Sequence, residues 1–228
     1  MAGNENRALG LGYFIVLEGI DGSGKTSIGK FLENRLSEEM KVKFTCEPDD
    51  LQIIERLERI QQLPASAELV QAKALLFTAD RALHTLKVMQ WLQEGTNVIC
   101  ERYFMSTLAY QSAELQELEE PPEWMLRWLR EINKPYIAIP DLLILLDSHP
   151  DNALRRLSER ASKKAPRLRY YERPEMLRRV AECYDEEYRR YERRKLRLDA
   201  DSEIEELRNR ALMEVLKVIE ERDLDASG

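Results

Sequence analysis

Apolar residues fall along this chain in two kinds of run. The short kind comprises Phe14–Leu17, Val42–Thr45, Asn97–Cys100, Leu142–Leu146 and Leu196–Leu198. Each is about as long as a strand and mostly apolar at consecutive positions, the pattern of strands covered on both faces. The long kind is periodic. Between Ala67 and Glu94, Leu69, Ala72, Leu76, Leu83, Leu86 and Val88 recur roughly in helical phase. A second stretch holds Trp124, Trp128 and Leu129. A last one opens at Ser202, where S-E-I-E reads as a capping box, and carries Leu207, Leu212, Val215 and Ile219. Strands alternating with helices predict an α/β fold: a five-stranded parallel sheet with helices on both faces. Pro121-Pro122 and the Pro135/Pro140 bracket punctuate helices. No repeat or low-complexity linker divides the chain. Its 228 residues predict a single domain, with residues 1–12 as a loose arm.

Ligands of such sheets sit beyond the carboxyl ends of the strands. The first such end is F-I-V-L-E-G-I-D-G-S-G-K-T-S, Phe14 to Ser27. A helix is expected from about Lys25, with Ile28, Phe31, Leu32 and Leu36 on one face. A glycine-rich loop between strand and helix aims N–H groups at one point, with the positive end of the helix dipole behind them, which makes an anion site. Gly19 to Thr26 fits the full G-x-x-x-x-G-K-[ST] pattern. Gly19, Ile20, Asp21, Gly22, Ser23, Gly24, Lys25, Thr26 and Ser27 are therefore the expected nucleoside-triphosphate-binding loop of a three-layer P-loop NTPase fold. Lys25 is expected to reach the β/γ-phosphates and Thr26 to bind Mg²⁺.

Composition removes several classes. Lys and Arg number 35 against 42 Asp and Glu, a net charge of −7, which disfavours nucleic acid as a partner. No apolar run approaches the ~20 residues of a membrane span. The start of the chain lacks a basic region followed by an apolar core, so no signal peptide is expected. Cys46, Cys100 and Cys183 are scattered and without metal-ligand spacing, which fits a reducing, cytoplasmic setting.

Three further stretches carry chemistry. After the third strand comes E-R-Y-F-M-S-T-L-A-Y-Q, Glu101 to Gln111. Glu101 suits Mg²⁺ or its waters, and Arg102 suits an anionic phosphate. Ser106 and Tyr110, four apart on an expected helix, share a face, and hydroxyls there with an amide suit the edge of a base. In L-L-F-T-A-D-R-A-L-H, Phe77 and Arg81 are also four apart, an aromatic for stacking and a cation for phosphate. Residues 155–173 hold eight basic and two acidic residues after the fourth strand, which suits a lid closing over a transferring phosphoryl group.

In order, E-G-I-D-G-S-G-K-T, C-E-P, L-L-F-T-A-D-R, E-R-Y-F-M-S-T-L-A-Y-Q, P-D-L-L-I-L-L-D, a lid ending Y-Y-E-R-P-E-M-L-R-R-V-A-E-C-Y, and L-D-A-D resemble the thymidylate (dTMP) kinase family over nearly the whole chain. The resemblance implies transfer of a phosphoryl group from ATP, with Mg²⁺, to dTMP, in a homodimer joined through the helices of Leu69–Leu86 and Ser106–Leu115. It implies Lys25, Arg102 and a lid arginine, Arg160 ahead of Arg156 and Arg167, as catalytic, and Thr26 and Glu101 at the metal. Asp21 would lie near the acceptor sugar and phosphate, and Glu47 and Pro48 next to the monophosphate. Phe77 would stack on thymine, while Arg81 and Arg102 hold the phosphate. Ser106, Thr107 and Gln111 would meet the base edge, Tyr110 the sugar, and Glu172 the sugar or metal. The chain departs from the pattern at Cys46, where the family usually has Arg, and at Asp49, Asp50 and Glu101. Remaining alternatives are a same-fold kinase for dUMP or a deoxynucleoside, and a nucleotide-dependent switch or non-catalytic binding module. Asn133 to Tyr136, N-K-P-Y, lacks the Asp of a guanine-reading motif.

Overall fold

The computed structural model describes residues 12–118, 124–161 and 170–227, without the side chains of 160, 161, 170 and 222–227. Five strands, β1 (Phe14–Glu18), β2 (Val42–Cys46), β3 (Asn97–Glu101), β4 (Leu142–Asp147) and β5 (Lys195–Asp199), form one sheet. Their order is β2-β3-β1-β4-β5 and every pairing is parallel. β1 is central, with Val16 opposite Cys100 on one side and Leu143 on the other. The chain goes from β1 to the edge at β2, returns to lay β3 beside β1, and then crosses to β4 and β5 on the other side, so a crevice opens beyond the carboxyl end of β1.

The period-2 alternation of β1 divides the core. Phe14 and Val16 face a cluster built with α3 (Ala67–Gln93), α4 (Phe104–Leu115), α5 (Trp124–Asn133), α6 (Pro150–Ala161) and α7 (Pro174–Arg190). Ile15 and Leu17 face a second cluster with α1 (Lys25–Leu36) and α8 (Ile204–Ser227). Both faces of β4, L-L-I-L-L, are covered, so its five leucine and isoleucine side chains are all buried. Truncating one such residue to alanine costs about 2–5 kcal/mol.

Several expectations change. α2 (Leu51–Ile60) was not anticipated, although Asp50 is a strong signal for it: the Asp50 carboxylate accepts from the N–H groups of Gln52 and Ile53. Ser202 does not cap α8. Its hydroxyl donates to the Asp199 carbonyl at 2.8 Å inside a turn, and the helix begins at Ile204. Gly12, placed in the loose arm, donates to the Leu92 carbonyl at 3.0 Å. The rest of that arm, 1–11, lies outside the described residues. The expected lid is helical at both ends, in α6 and in a 3₁₀ turn, Tyr170–Glu172. Its middle, including Arg167, lies outside the described residues. α4 from Thr107 to Leu115 is buried along its whole length, so it offers no outward face for a dimer. α3 does: Leu75, Leu83 and Leu86 are 52–68% exposed along one side.

Candidate active site

The loop after β1 is built to leave the start of α1 open. α2 and α3 begin with side-chain caps, Asp50 and Ser66, but α1 begins at Gly24 with no side-chain cap and no acidic residue in its first turn. Its N-terminus is thus left for an anion. Gly24 adopts φ 92°, which a side chain resists. At Gly22, φ 83°, a Cβ would come within 2.5 Å of the Ala153 carbonyl oxygen, so only glycine lets the loop lie against α6. Ser23 is buried and its hydroxyl has no partner among the described residues.

Lys25 folds back over this loop and donates to the carbonyls of Gly19 at 2.9 Å and Ile20 at 2.7 Å. Burial, reinforced by the nearby Arg102 charge, lowers its pKa to about 7; Asp21, Glu101 and Glu18 act the other way. The Thr26 hydroxyl donates to the Glu101 carboxylate at 2.7 Å. β1 and β3 are neighbours, so the ends of these two strands bring together one hydroxyl and one carboxylate. That all-oxygen pair is what Mg²⁺ takes from a protein when phosphates and water supply the rest. No cluster of three or more metal-ligating side chains occurs among the described residues.

Beside the loop lies a cavity of about 740 Å³. Asp21, Glu47, Pro48, Phe77, Arg81, Arg102, Ser106, Thr107, Tyr110, Gln111 and Glu172 all line it. Asp21 belongs to the glycine-rich loop, so the two sites share a wall. The Arg102 guanidinium pairs with Asp21 at 2.5 Å and donates to the Tyr110 hydroxyl at 3.3 Å, and Tyr110 donates to Asp21 at 3.0 Å. Burial would raise the Asp21 pKa, but Arg102, Lys25 and the Tyr110 hydrogen bond outweigh it and hold the carboxyl below its ordinary value. Arg102 has φ 65°, a left-handed conformation uncommon outside glycine, at the turn from β3 into α4.

The cavity residues differ in how far they are already engaged. Arg81 is 1% exposed; it donates to Glu47 at 2.7 Å and Thr107 at 3.0 Å, and also to Asn133. Its charge is matched by Glu47, while its Nε has no partner among the described residues. Glu47 is held in turn by His84 at 3.1 Å. Ser106, expected at the base edge, donates to Glu18 at 2.6 Å and shares a 2.7 Å hydrogen bond with the Tyr184 hydroxyl. Cys46 does not line the cavity. Arg156 donates to Ser148, to Asp201 and to the carbonyls of Ala200 and Gly22, which ties α6 to the loops rather than leaving a mobile lid cation. Arg160 lies in α6, and its side chain is outside those described.

Sequence reasoning missed several participants. Ile54, Leu57, Glu58, Gln61 and Gln62, in and just after α2, form a wall of the cavity, as do Tyr103 and Tyr171. Asp80 on α3 accepts from the N–H groups of Asp49 and Asp50 at 2.7–3.0 Å, and Lys87 pairs with Asp49, so α3 fixes the loop after β2. Glu18 is fully buried at the end of β1. It accepts from the N–H groups of Tyr103 and Ser106 and the hydroxyls of Ser106 and Tyr184.

A parallel sheet, an uncapped glycine-rich loop with a buried lysine, a Thr–carboxylate pair and an adjoining polar cavity define a P-loop nucleotide kinase. A family model described as thymidylate kinase matches residues 17–211. The chain belongs to the thymidylate kinase family. It is similar to a probable thymidylate kinase of Pyrococcus horikoshii, 42% identical over 66% of this chain and 72% of that one. A probable thymidylate kinase of Methanococcoides burtonii is 34% identical over 92% and 98% of the two chains. A thymidylate kinase of Pelotomaculum thermopropionicum is 36% identical over 92% and 94%.

Proposed function

We propose that this protein transfers the γ-phosphoryl group of ATP to dTMP, giving dTDP and ADP. The observation that carries this reading is the shared wall: Asp21, part of the phosphate loop, also lines the cavity where the acceptor-type residues converge. Donor and acceptor phosphates are thereby brought side by side, and alignment supplies most of what phosphoryl transfer needs. An oxygen of the dTMP phosphate forms a bond to the γ-phosphorus as the bond to the β–γ bridging oxygen breaks. The acceptor is already an anion, so no strong base is required.

In this reading Lys25 turns from the Gly19 and Ile20 carbonyls to the β/γ-phosphates. Arg102, held by Asp21, faces the acceptor phosphate, and Phe77 stacks on the thymine ring. Thr107 and Gln111 lie toward the base edge, and Tyr110 sits against the sugar. Thr26 and Glu101 hold Mg²⁺, which would neutralise phosphate charge. Arg160 remains the proposed lid arginine. The exposed Leu75, Leu83 and Leu86 side of α3 supports a homodimer through that helix. A cytoplasmic location is proposed from the reduced-type cysteine pattern. Among the described residues no helix is long and apolar enough to cross a membrane.

The test is ADP release with ATP and Mg²⁺, offering dTMP, dUMP, UMP, CMP, AMP and thymidine in parallel. Strong preference for dTMP is expected, together with loss of turnover in Lys25→Ala. A preference for another acceptor moves the substrate assignment. Absence of acceptor-dependent release overturns the reading.

A further inference from the structure

A buried polar group stands behind Gln111 and Tyr171 of the cavity wall. Lys73 of α3 pairs with Glu114 of α4 at 2.5 Å, with side chains 5% and 3% exposed. The Tyr171 hydroxyl donates to the same carboxylate oxygen, Oε1, at 2.9 Å. The other oxygen, Oε2, accepts from the Nε2 of Gln111 at 3.3 Å. Gln111 is fully buried in the cavity wall, and its Oε1 has no donor among the described residues. A buried carbonyl oxygen without a partner is unfavourable, so this one is set to take a donor.

The two ends of a glutamine amide are nearly equal in shape, and only hydrogen bonds decide which way it faces. A carboxylate accepts and does not donate, and Lys73 and Tyr171 both donate to this one. The NH₂ of Gln111 is therefore drawn toward Glu114, and its oxygen is left for the ligand. We infer that Glu114, fixed by Lys73 and Tyr171, is a specificity-determining positioning residue that sets Gln111 to read a ring N–H donor, selecting pyrimidines with a protonated N3 over those with an accepting N3. This rests on the assignment of the cavity to a pyrimidine monophosphate. Glu114 touches no substrate atom; it acts by orienting Gln111.

The matched pair of acceptors is dTMP and 5-methyl-dCMP, which share the methyl group, sugar and phosphate and differ in the hydrogen-bonding edge. In the native protein kcat/KM is expected to favour dTMP by at least about 100-fold, since a site built around a hydrogen bond rejects a ligand that cannot make it. Glu114→Gln keeps the shape. Lys73 and Tyr171 both donate to its oxygen, so its NH₂ faces Gln111, which then turns its own NH₂ into the cavity. The dTMP to 5-methyl-dCMP ratio is expected to fall at least tenfold, with use of 5-methyl-dCMP rising in absolute terms. Should this variant not fold, Lys73→Met with Glu114→Gln, neutral on both sides, carries the same ratio. A folded variant with the native ratio overturns the inference and leaves the acceptor assignment intact. A native protein that does not discriminate between the two overturns the acceptor assignment, and the inference with it.

Discussion

Removing the Glu18 carboxylate tests whether a single buried acid joins the phosphate loop to the acceptor wall. Glu18 ends β1, is fully buried, and accepts four hydrogen bonds: Tyr103 N–H at 2.9 Å, Ser106 N–H at 3.2 Å, Ser106 hydroxyl at 2.6 Å and Tyr184 hydroxyl at 3.0 Å. In Glu18→Ala not all four are lost outright. The Ser106 N–H keeps the Tyr103 carbonyl at 3.2 Å, and the two hydroxyls keep each other at 2.7 Å. The Tyr103 N–H is orphaned, at about 1–3 kcal/mol. A void of about 50 Å³ adds roughly 1 kcal/mol at about 24 cal/mol per Å³. The expected loss is about 3 kcal/mol, or a fall in Tm of about 6–12 °C for a chain of this size. Glu18→Gln should lose no more than about 1 kcal/mol, because its oxygen still accepts from the two N–H groups and its NH₂ meets hydroxyls that can accept. Burial raises the Glu18 pKa above 4.5, against the pull of its hydrogen bonds and Arg102. The native state therefore binds the proton more tightly, so this group lowers stability as pH rises from about 4.5 toward the raised value. That slope should vanish in the glutamine variant. Thermal unfolding from pH 4 to 8 provides the measurement. Equal losses in both variants, or an alanine loss below about 1 kcal/mol, would refute the reasoning.

Lys25 gives a second test. Its pKa of about 7 lies below the ordinary 10.5, so the unfolded chain binds more protons in that window, and the free protein gains stability as pH rises from about 7 to 10. Nucleotide phosphates favour the charged amine, so ATP binding at pH 7.5 should take up part of a proton. Calorimetry in buffers of different ionisation enthalpy reads this, and no uptake, or equal uptake in Lys25→Ala, counts against it. At Arg102 the φ of 65° makes glycine the better replacement. Arg102→Gly should unfold about 1 kcal/mol later than Arg102→Ala while both lose acceptor affinity, and an alanine variant as stable as the glycine one would contradict the strain.

Local patterns were legible and distant ones were not. All five strands fall within one residue of their apolar runs, because a doubly covered strand leaves a continuous apolar signature. The phosphate loop was legible because its chemistry lies within nine consecutive positions. The capping box at Ser202 failed because the helix begins two residues later, at Ile204, leaving Ser202 in the preceding turn with its hydroxyl donating to the Asp199 carbonyl. α6 and α7 were hidden by their many charged residues, and the 155–173 stretch, which runs from within α6 to the start of α7, was read as a lid without those helices. Glu18 could not be assigned a partner, since Tyr103 and Tyr184 are 85 and 166 residues away. The Lys73–Glu114 pair, 41 residues apart, escaped for the same reason.

α3 presents different faces to different tasks. Its inner side sends Asp80, Arg81, His84 and Lys87 into the loop after β2 and the acceptor wall, while Leu75, Leu83 and Leu86 stand outward. The helix is continuous over 27 residues, roughly 40 Å at about 1.5 Å per residue. Whatever seats on the outer leucines and whatever enters the cavity therefore load the same beam from opposite sides. A drift in sequence that tilts it for one surface retunes the other, so the two surfaces are bound to evolve together.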